Sequence, residues 1–422
     1  MADSRDKETK ILVVGGGFGG LEFCRRFRHP NTRIQLVDTK NHHLFQPLLY
    51  QVATSGLSGP QIAQPLRGIF RKRPDVETYL DEIREISLEG KRAVGAHHAY
   101  EFDYLVLAAG ARTSFFGNDH WGEHVHGLKT LADAVELRGH VLRSLELAEM
   151  EEDPEERRRL MTFAVIGGGP TGVETAGALA ELGRIVLRRN FRHIDPVKAR
   201  VILIEGADRI LGSYAESLSA KARAQTEDLG VEVRTGAMVE DVRAGEVDAG
   251  GETIEARNII WTAGVEAVPL TRSLGVPVDK PGRIKVEPDC SMPGHPHAFA
   301  IGDLANLVDA KGKPVPGVSP AAMQMAKHVA REIRRDLKAG AVREPKSRKP
   351  FVYFDKGNMA TIGRSRAIAE IGRLKMAGWS AWMAWLLVHL VFLVGFRNKI
   401  VVLIDWFYSY ATYRRGARVI VN

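Results

Sequence analysis

The hydrophobic pattern of this chain changes period at two places, and the same run of glycines marks both. Residues 10–14 (KILVV) form a short unbroken apolar run, which predicts a buried strand. Gly15-Gly16-Gly17-Phe18-Gly19-Gly20 follows, and apolar residues then recur at helical spacing through Leu21, Phe23, Cys24 and Phe27. A second apolar run, 33–37 (RIQLV), closes on Asp38. The order is strand, glycine turn, helix, strand, acid. It recurs in residues 161–166, Gly167-Gly168-Gly169-Pro170-Thr171-Gly172, a helix over 173–182, and a strand over 200–204 that closes on Glu205. A duplication on this scale predicts two α/β units rather than a stack of short repeats. The second interval is longer than the first, so an insertion is expected around 184–197.

Further strands are expected at 104–108, ending in Gly110, and at 259–264, ending in Gly264. Residues 298–305 (AFAIGDLA) read as a short strand running into Gly302-Asp303. Ser319 as N-cap and Pro320 at the first helical position predict a helix over 321–335. Two charged stretches, 149–159 and 340–350, read as a solvated helix end and a linker.

The last fifty residues behave differently. Residues 376–396 carry no formal charge, and at ~1.5 Å per residue such a helix is long enough to span a bilayer. Trp379, Trp382 and Trp385, flanked by Arg373, Lys375, Arg397 and Lys399, favour an amphipathic helix lying on an anionic membrane surface instead. A buried dimer-interface helix is the alternative. From residue 371 onward seven basic residues face one acid, Asp405, so this end supplies +6 of the net +8. The near-neutral remainder argues against nucleic acid as a partner. With 45% hydrophobic and 26% charged residues, the whole is neither disordered nor polytopic. The polar first ten residues lack the apolar core of a secretory signal, which places the chain's origin in the cytosol. Only Cys24 and Cys290 are present, without a C-x-x-C, so a dithiol relay, a disulfide framework and a cysteine metal site are not expected. No metal site of any kind is expected.

The two turns carry the candidate chemistry. Gly15, Gly17 and Gly20 fit G-x-G-x-x-G, whose glycines permit a tight turn, close approach of backbone to a pyrophosphate, and close helix–strand packing. The helix start presents free N–H groups to the phosphates, and Asp38 is placed to bind ribose hydroxyls. Gly167, Gly169, Gly172 and Glu205 repeat the set. A carboxylate there repels a 2′-phosphate, so Glu205 favours NADH over NADPH, with Arg209 nearby. Two such turns call for two dinucleotides, and a flavin paired with a nicotinamide is the economical pair. Without paired cysteines the acceptor must meet the flavin directly: a quinone, a protein such as ferredoxin, or oxygen.

Several stretches resemble the type II NADH dehydrogenases, the single-subunit NADH:quinone oxidoreductases. They are HLFQPLLYQVATSGLS (43–58), GGGPTGVETA (167–176), WTAGV (261–265), AIGDLA (300–305), VPGVSPAAMQMAKH (315–328), GFRNK (395–399) and 414–420, and together they cover essentially the whole chain. The resemblance implies two Rossmann-like domains: 1–125 and 293–370 for non-covalent FAD, 126–292 for NADH, and 371–422 as a C-terminal helical membrane anchor. It implies oxidation of NADH and reduction of a quinone without proton pumping, by a monotopic protein on the cytoplasmic face of the cell membrane that often forms a homodimer. By position, Gly110, Asp303 and Ala322 join the FAD site and Gly264 the NADH site. Gln46 and Pro47 fall in the loop near the flavin ring, Glu174 near the nicotinamide–flavin stack, and Gln324 in the quinone motif. Ser319-Pro320 stands where many members have Ala-Gln, which leaves Gln324 as the polar candidate beside the small-residue face of Ala321, Ala322, Met325 and Ala326. A soluble ferredoxin- or oxygen-linked reductase and a slow NADH-sensing flavoprotein are the rival readings. Sulfide:quinone oxidoreductase shares the fold but needs paired redox cysteines.

Overall fold

The computed structural model describes residues 8–187, 190–412 and 415–420. In chain order its first half holds β1 (Thr9–Val14), α1 (Phe18–Arg26), β2 (Thr32–Asp38), β3 (Val76–Leu80), β4 (Tyr104–Leu107), β5 (His126–Gly127), α2 (Leu131–Met150), β6 (Thr162–Ile166), α3 (Pro170–Glu181) and β7 (Arg200–Ile204). There follow β8 (Val231–Arg234), β9 (Asn258–Trp261), β10 (Ser291–Met292), β11 (His295–Ala300) and α4 (Ser319–Ala339). The C-terminal part adds β12 (Asn358–Gly363), β13 (Arg366–Ile371), β14 (Leu374–Ala377), α5 (Trp379–Phe392) and α6 (Phe396–Thr412).

The chain divides into two compact units, one of Met1–His43, Gln64–Arg112 and Val265–Asp355, the other of Leu44–Ala63, Thr113–Gly264 and Lys356–Asn422. The first unit is built on a six-stranded sheet, β10-β11-β4-β1-β2-β3. β1 lies parallel to β2 and β4, with Val14 opposite Val37 and Leu107. Apolar side chains on both faces explain why these strands read as unbroken runs: Ile11, Leu12, Val13, Leu105 and Val106 are all fully buried. α4 starts at Ser319, so Val318 is the cap and the expected Ser319 cap bond is not made; the proline still falls in the first turn. The stretch expected as a linker at 340–350 is pinned down instead. Arg348, fully buried, pairs with Asp289 at 2.9 Å and Asp336 at 2.5 Å, and Arg343 pairs with Asp336 at 2.7 Å and Glu332 at 2.9 Å.

The second unit holds the parallel sheet β5-β9-β6-β7-β8 and the antiparallel sheet β12-β13-β14. The extra length before β7 falls where an insertion was expected: α3 gives way to a single π-turn at Leu182–Val186, then a loop and a short turn at Pro196–Lys198. Arg188 and Arg189 of that stretch lie outside the described residues.

The C-terminal region corrects the sequence expectation of a membrane-anchoring helical segment. Among the described residues no helix is long and apolar enough to cross a membrane. The uncharged run 376–396 is cut into pieces: its start belongs to β14, Gly378 turns the chain at φ 75°, α5 ends at Phe392, and Gly395 (φ 91°) precedes α6. α5 buries Ala381, Trp382 and Trp385, and Ala381 and Trp382 pack with Ala367 and Ala369 of β13. The sequence favours an interfacial place for these tryptophans; Trp382 and Trp385 are buried instead. Gly177 of α3 lies so close to β12 that a Cβ there would sit 1.7 Å from the Ile362 carbonyl oxygen. The polar N-terminus through residue 7 and Arg414 of the basic tail lie outside the described residues.

Candidate dinucleotide and redox sites

Both glycine turns fold in the same way, because the same two steric problems must be solved. Gly15 (φ 105°) and Gly167 (φ 107°) adopt a conformation that L side chains avoid. A Cβ on Gly20 would sit 1.8 Å from the Gly15 carbonyl oxygen, and one on Gly172 equally 1.8 Å from that of Gly167. Gly17 and Gly169 are the helix caps, make no side-chain cap bond, and face open space where a Cβ would go. That leaves an open cradle at each helix start, which fits a pyrophosphate.

The acids complete the likeness. Asp38 accepts the Gly16 amide at 2.5 Å and the Lys40 amide at 2.6 Å. Glu205 accepts the Gly168 amide at 2.6 Å and the Ala207 amide at 2.8 Å. Each carboxylate is thus fixed at the lip of its turn with lone pairs left over for ribose hydroxyls. Burial pushes the Asp38 carboxyl up, and the two amides pull it back down. His43 lies under the first turn, where its Nδ1 donates to the Gly16 carbonyl oxygen at 3.0 Å and burial pushes its pKa down to about 4. Thr262 plays the matching part in the second turn, donating to the Ile166 carbonyl oxygen at 2.7 Å. Neither was singled out in the sequence, although both stand inside stretches that carried the resemblance.

In the first unit Gly302 (φ 78°) faces the start of α4, where a Cβ would lie 3.3 Å from that of Ala322, and Asp303 follows it. Gly110 (φ 73°) turns the chain after β4 and borders open space. The structure therefore brings Gly15, Gly17, Gly20, Asp38, Gly110, Asp303 and Ala322 into one unit, and these residues fit FAD. Gln324 is in the same unit, with its amide engaged at both ends: Nε2 donates to the Phe354 carbonyl oxygen at 2.9 Å and Oε1 accepts the Phe354 amide at 3.0 Å. That pairing spans thirty residues and has no local signal.

The second unit holds Gly167, Gly169, Gly172, Glu205 and Gly264, together with Glu174, Gln46 and Pro47. Gln46 and Pro47 form a short turn of helix at Gln46–Leu48. Glu174 faces inward from α3, whose residues from Gly172 to Ala180 are all buried. Burial pushes its carboxyl up to about 8, although Oε1 accepts the Thr361 amide at 3.3 Å. Tyr50, Thr361, Trp385 and Arg415 are among the side chains around it that enclose a cavity of about 50 Å³. Arg415 closes one end, pairing with Glu181 at 3.1 Å and donating to the Thr54 carbonyl oxygen at 2.8 Å. Cys24 and Cys290 are free and buried, and burial pushes both thiols up, so neither is a ready thiolate. Among the described residues no cluster of metal-ligating side chains is present.

Two Rossmann-like sheets, two phosphate cradles and no reactive thiol define a flavoprotein oxidoreductase that binds two dinucleotides. Residues 9–326 match the pyridine nucleotide-disulphide oxidoreductase family and residues 356–415 the NDH2 C-terminal domain. The type II NADH:quinone oxidoreductase of Mycobacterium tuberculosis is 43% identical, over 99% of this chain and 91% of its own length. An internal alternative NAD(P)H-ubiquinone oxidoreductase of potato (Solanum tuberosum) mitochondria is 30% identical, over 96% of this chain and 87% of its own. In fold, the chain is similar to NDH2 of Plasmodium falciparum in complex with NADH, with a TM-score of 0.89 at 19% identity, covering 99% of this chain and all of that one. The sulfide:quinone oxidoreductase of Aquifex aeolicus is a more distant likeness, with a TM-score of 0.71 at 18% identity, covering 93% and 92% of the two chains. The chain belongs to the type II NADH:quinone oxidoreductases.

Proposed function

We propose that this chain works peripherally at a membrane, on its cytoplasmic face, where it oxidises NADH and hands the electrons to a membrane quinone. The reaction is that of its family: FAD-dependent, with NADH as donor and quinone as acceptor, and not electrogenic. The observation that carries the two-dinucleotide part is the matched pair of turns, each acid held by two backbone amides of its own loop. Bound FAD supplies the redox chemistry, taking a hydride from NADH and releasing two electrons to quinone.

The side chains orient and exclude. FAD is assigned to 1–125 and 293–370, less the stretches 44–63, 113–125 and 356–370 that cluster with the second unit, with Asp38, Gly110, Asp303 and Ala322 lining it; NADH is assigned to 126–292, less 265–292 that cluster with the first, with Glu205 and Gly264. Glu205 accepts from the adenosine ribose and repels a 2′-phosphate. Glu174 holds a proton on its carboxyl at neutral pH, which quinone reduction can consume; Gln46 and Pro47 shape the loop in the same unit. Gln324 borders the quinone path. An anionic membrane surface, a homodimer and indifference to nucleic acid belong to the same proposal, and vesicle flotation, light scattering and gel shift read them.

The test is a spectrum. The purified protein should be yellow, bleach on adding NADH without oxygen, and recover its colour on adding a quinone. A colourless protein, or one that NADH leaves yellow, overturns the proposal.

A further inference from the structure

Phe116 is an odd residue. Its φ of 55° is one that bulky side chains rarely adopt, and its side chain is 69% exposed. Its ring lies at the edge of the core rather than in it, with its centroid 6.4 Å from that of the buried Trp261. The neighbouring Phe115 packs closer, against the buried cluster around Trp261 with ring centroids 5.3 Å apart. The loop that carries Phe116 is nonetheless well fixed. The Ser114 carbonyl oxygen accepts the Trp261 indole N–H at 3.0 Å, the Ser114 amide donates to the Gly264 carbonyl oxygen at 3.3 Å, and the Ser114 hydroxyl accepts the Phe116 amide at 3.3 Å. These bonds hold an exposed ring in a strained setting directly over Gly264, where a Cβ would meet the ring at 2.5 Å.

The position of that ring follows from the sheet. In the order β5-β9-β6-β7-β8 the chain leaves β6 to one side for β7, and β9 lies on the other side. A parallel sheet of this kind takes its ligand at the carboxyl ends of the strands where that reversal occurs, here between β6 and β9. The two strand ends touch, since a Cβ on Gly167 would lie 2.8 Å from the Ala263 amide nitrogen. Glu205, after β7, marks the adenosine ribose, and the start of α3, after β6, marks the pyrophosphate. A dinucleotide laid in that direction brings its nicotinamide half past β9, over Gly264.

We propose that Phe116 is a positioning residue for the nicotinamide half of NADH, a strained ring held over Gly264 as a wall against which that half packs. This rests on the NADH reading of the second unit. Gly264 is glycine for two reasons on this account: its φ of 70°, and the room it leaves for the ring.

The experiment titrates the flavin-loaded holoenzyme with NAD⁺ and, separately, with ADP-ribose, which lacks the nicotinamide. Phe116→Ala and Phe116→Gly should each weaken NAD⁺ by roughly three- to ten-fold, the range for losing an aromatic stack. ADP-ribose should bind as in the parent, and Phe116→Tyr should restore NAD⁺ binding. Thermal midpoints should not fall, and Phe116→Gly, which relieves the strained φ, should melt no lower than Phe116→Ala. Unchanged NAD⁺ affinity in Phe116→Ala overturns the proposal. Equal weakening of NAD⁺ and ADP-ribose with a lowered midpoint also overturns it, in favour of a role in folding the loop. If the parent itself binds neither ligand and is not bleached by NADH, the reading that has failed is the NADH site.

Discussion

Replacing Glu174 by glutamine should stabilise the protein, and by an amount that grows with pH. The carboxyl titrates at about 8 in the folded chain against an ordinary 4.5, with burial as the cause. Between those values the folded state keeps a proton that the unfolded state has lost. The unfolded state therefore binds fewer protons, and stability falls as pH rises. Below 4.5 both states are protonated and nothing is lost; above about 8 the full loss is present and stays constant. At about 1.4 kcal/mol per pH unit, the parent gives up about 3 kcal/mol by pH 7 and about 4 kcal/mol by pH 8. Glutamine is neutral throughout and keeps an oxygen for the Thr361 amide, so it escapes this loss. With an unfolding entropy of about 2.1 cal/mol/K per residue, the melting temperature of Glu174→Gln should exceed the parent's by about 4 °C at pH 7 and about 5 °C at pH 8. The assay is a series of melts of both proteins from pH 5 to pH 9, followed by flavin release and circular dichroism. A constant offset says little, because a changed hydrogen bond contributes one. The slope decides: a difference that does not grow between pH 5 and pH 8 refutes the account of a buried, protonated Glu174.

Three further outcomes follow from the sites. Glu205→Gln, which removes the charge but can still accept the Gly168 amide, should narrow the preference for NADH over NADPH by about ten-fold or more in kcat/KM, on the order of one lost charge interaction; an unchanged ratio would show that Glu205 does not select the nucleotide. Gly20→Ala should abolish flavin binding, and Gly172→Ala should leave a yellow protein that NADH bleaches poorly, since in each a Cβ meets a carbonyl oxygen at 1.8 Å; the reverse pattern would mean the two turns are assigned the wrong way round. Gln324→Leu breaks both bonds to Phe354 and should slow reoxidation by quinone several-fold, as expected for about 1 kcal/mol, while NADH bleaching keeps its rate; slowing of both half-reactions would place Gln324 with the flavin or the fold.

What could be read in advance was what several constraints fix at once. The glycine turns are legible because a strand end, a positive φ, a helix start and an acid must all coincide, and Gly15–Asp38 and Gly167–Glu205 meet every condition. The tail is less legible because every signal it offers, the uncharged run 376–396, its tryptophans and its basic flanks, suits a surface helix and a packed one alike. Nothing local says that Leu374–Ala377 pairs with β13, or that Gly378 and Gly395 end one element and begin another. Apolar periodicity cannot tell a tryptophan that meets lipid from one that meets alanines of a neighbouring strand. The Thr361–Glu174 and Phe354–Gln324 bonds escaped notice for a related reason: each joins a side chain to a backbone group far along the chain. Phe116 is legible in neither composition nor period, because its φ is set by the loop around it.

The close approach of Gly177 to Ile362 has a consequence for modularity. Because β12 and α5 seal the face of α3 that bears Glu174, the dinucleotide-binding region and the C-terminal sheet are not interchangeable parts. A graft of 113–264 onto another flavoprotein scaffold would carry over the cradle and Glu205 intact, and with them the recognition of the nucleotide. Glu174 would arrive more exposed, and its carboxyl would fall back toward the ordinary range, because much of what buries it, Thr361 and Trp385 among them, is encoded about two hundred residues downstream.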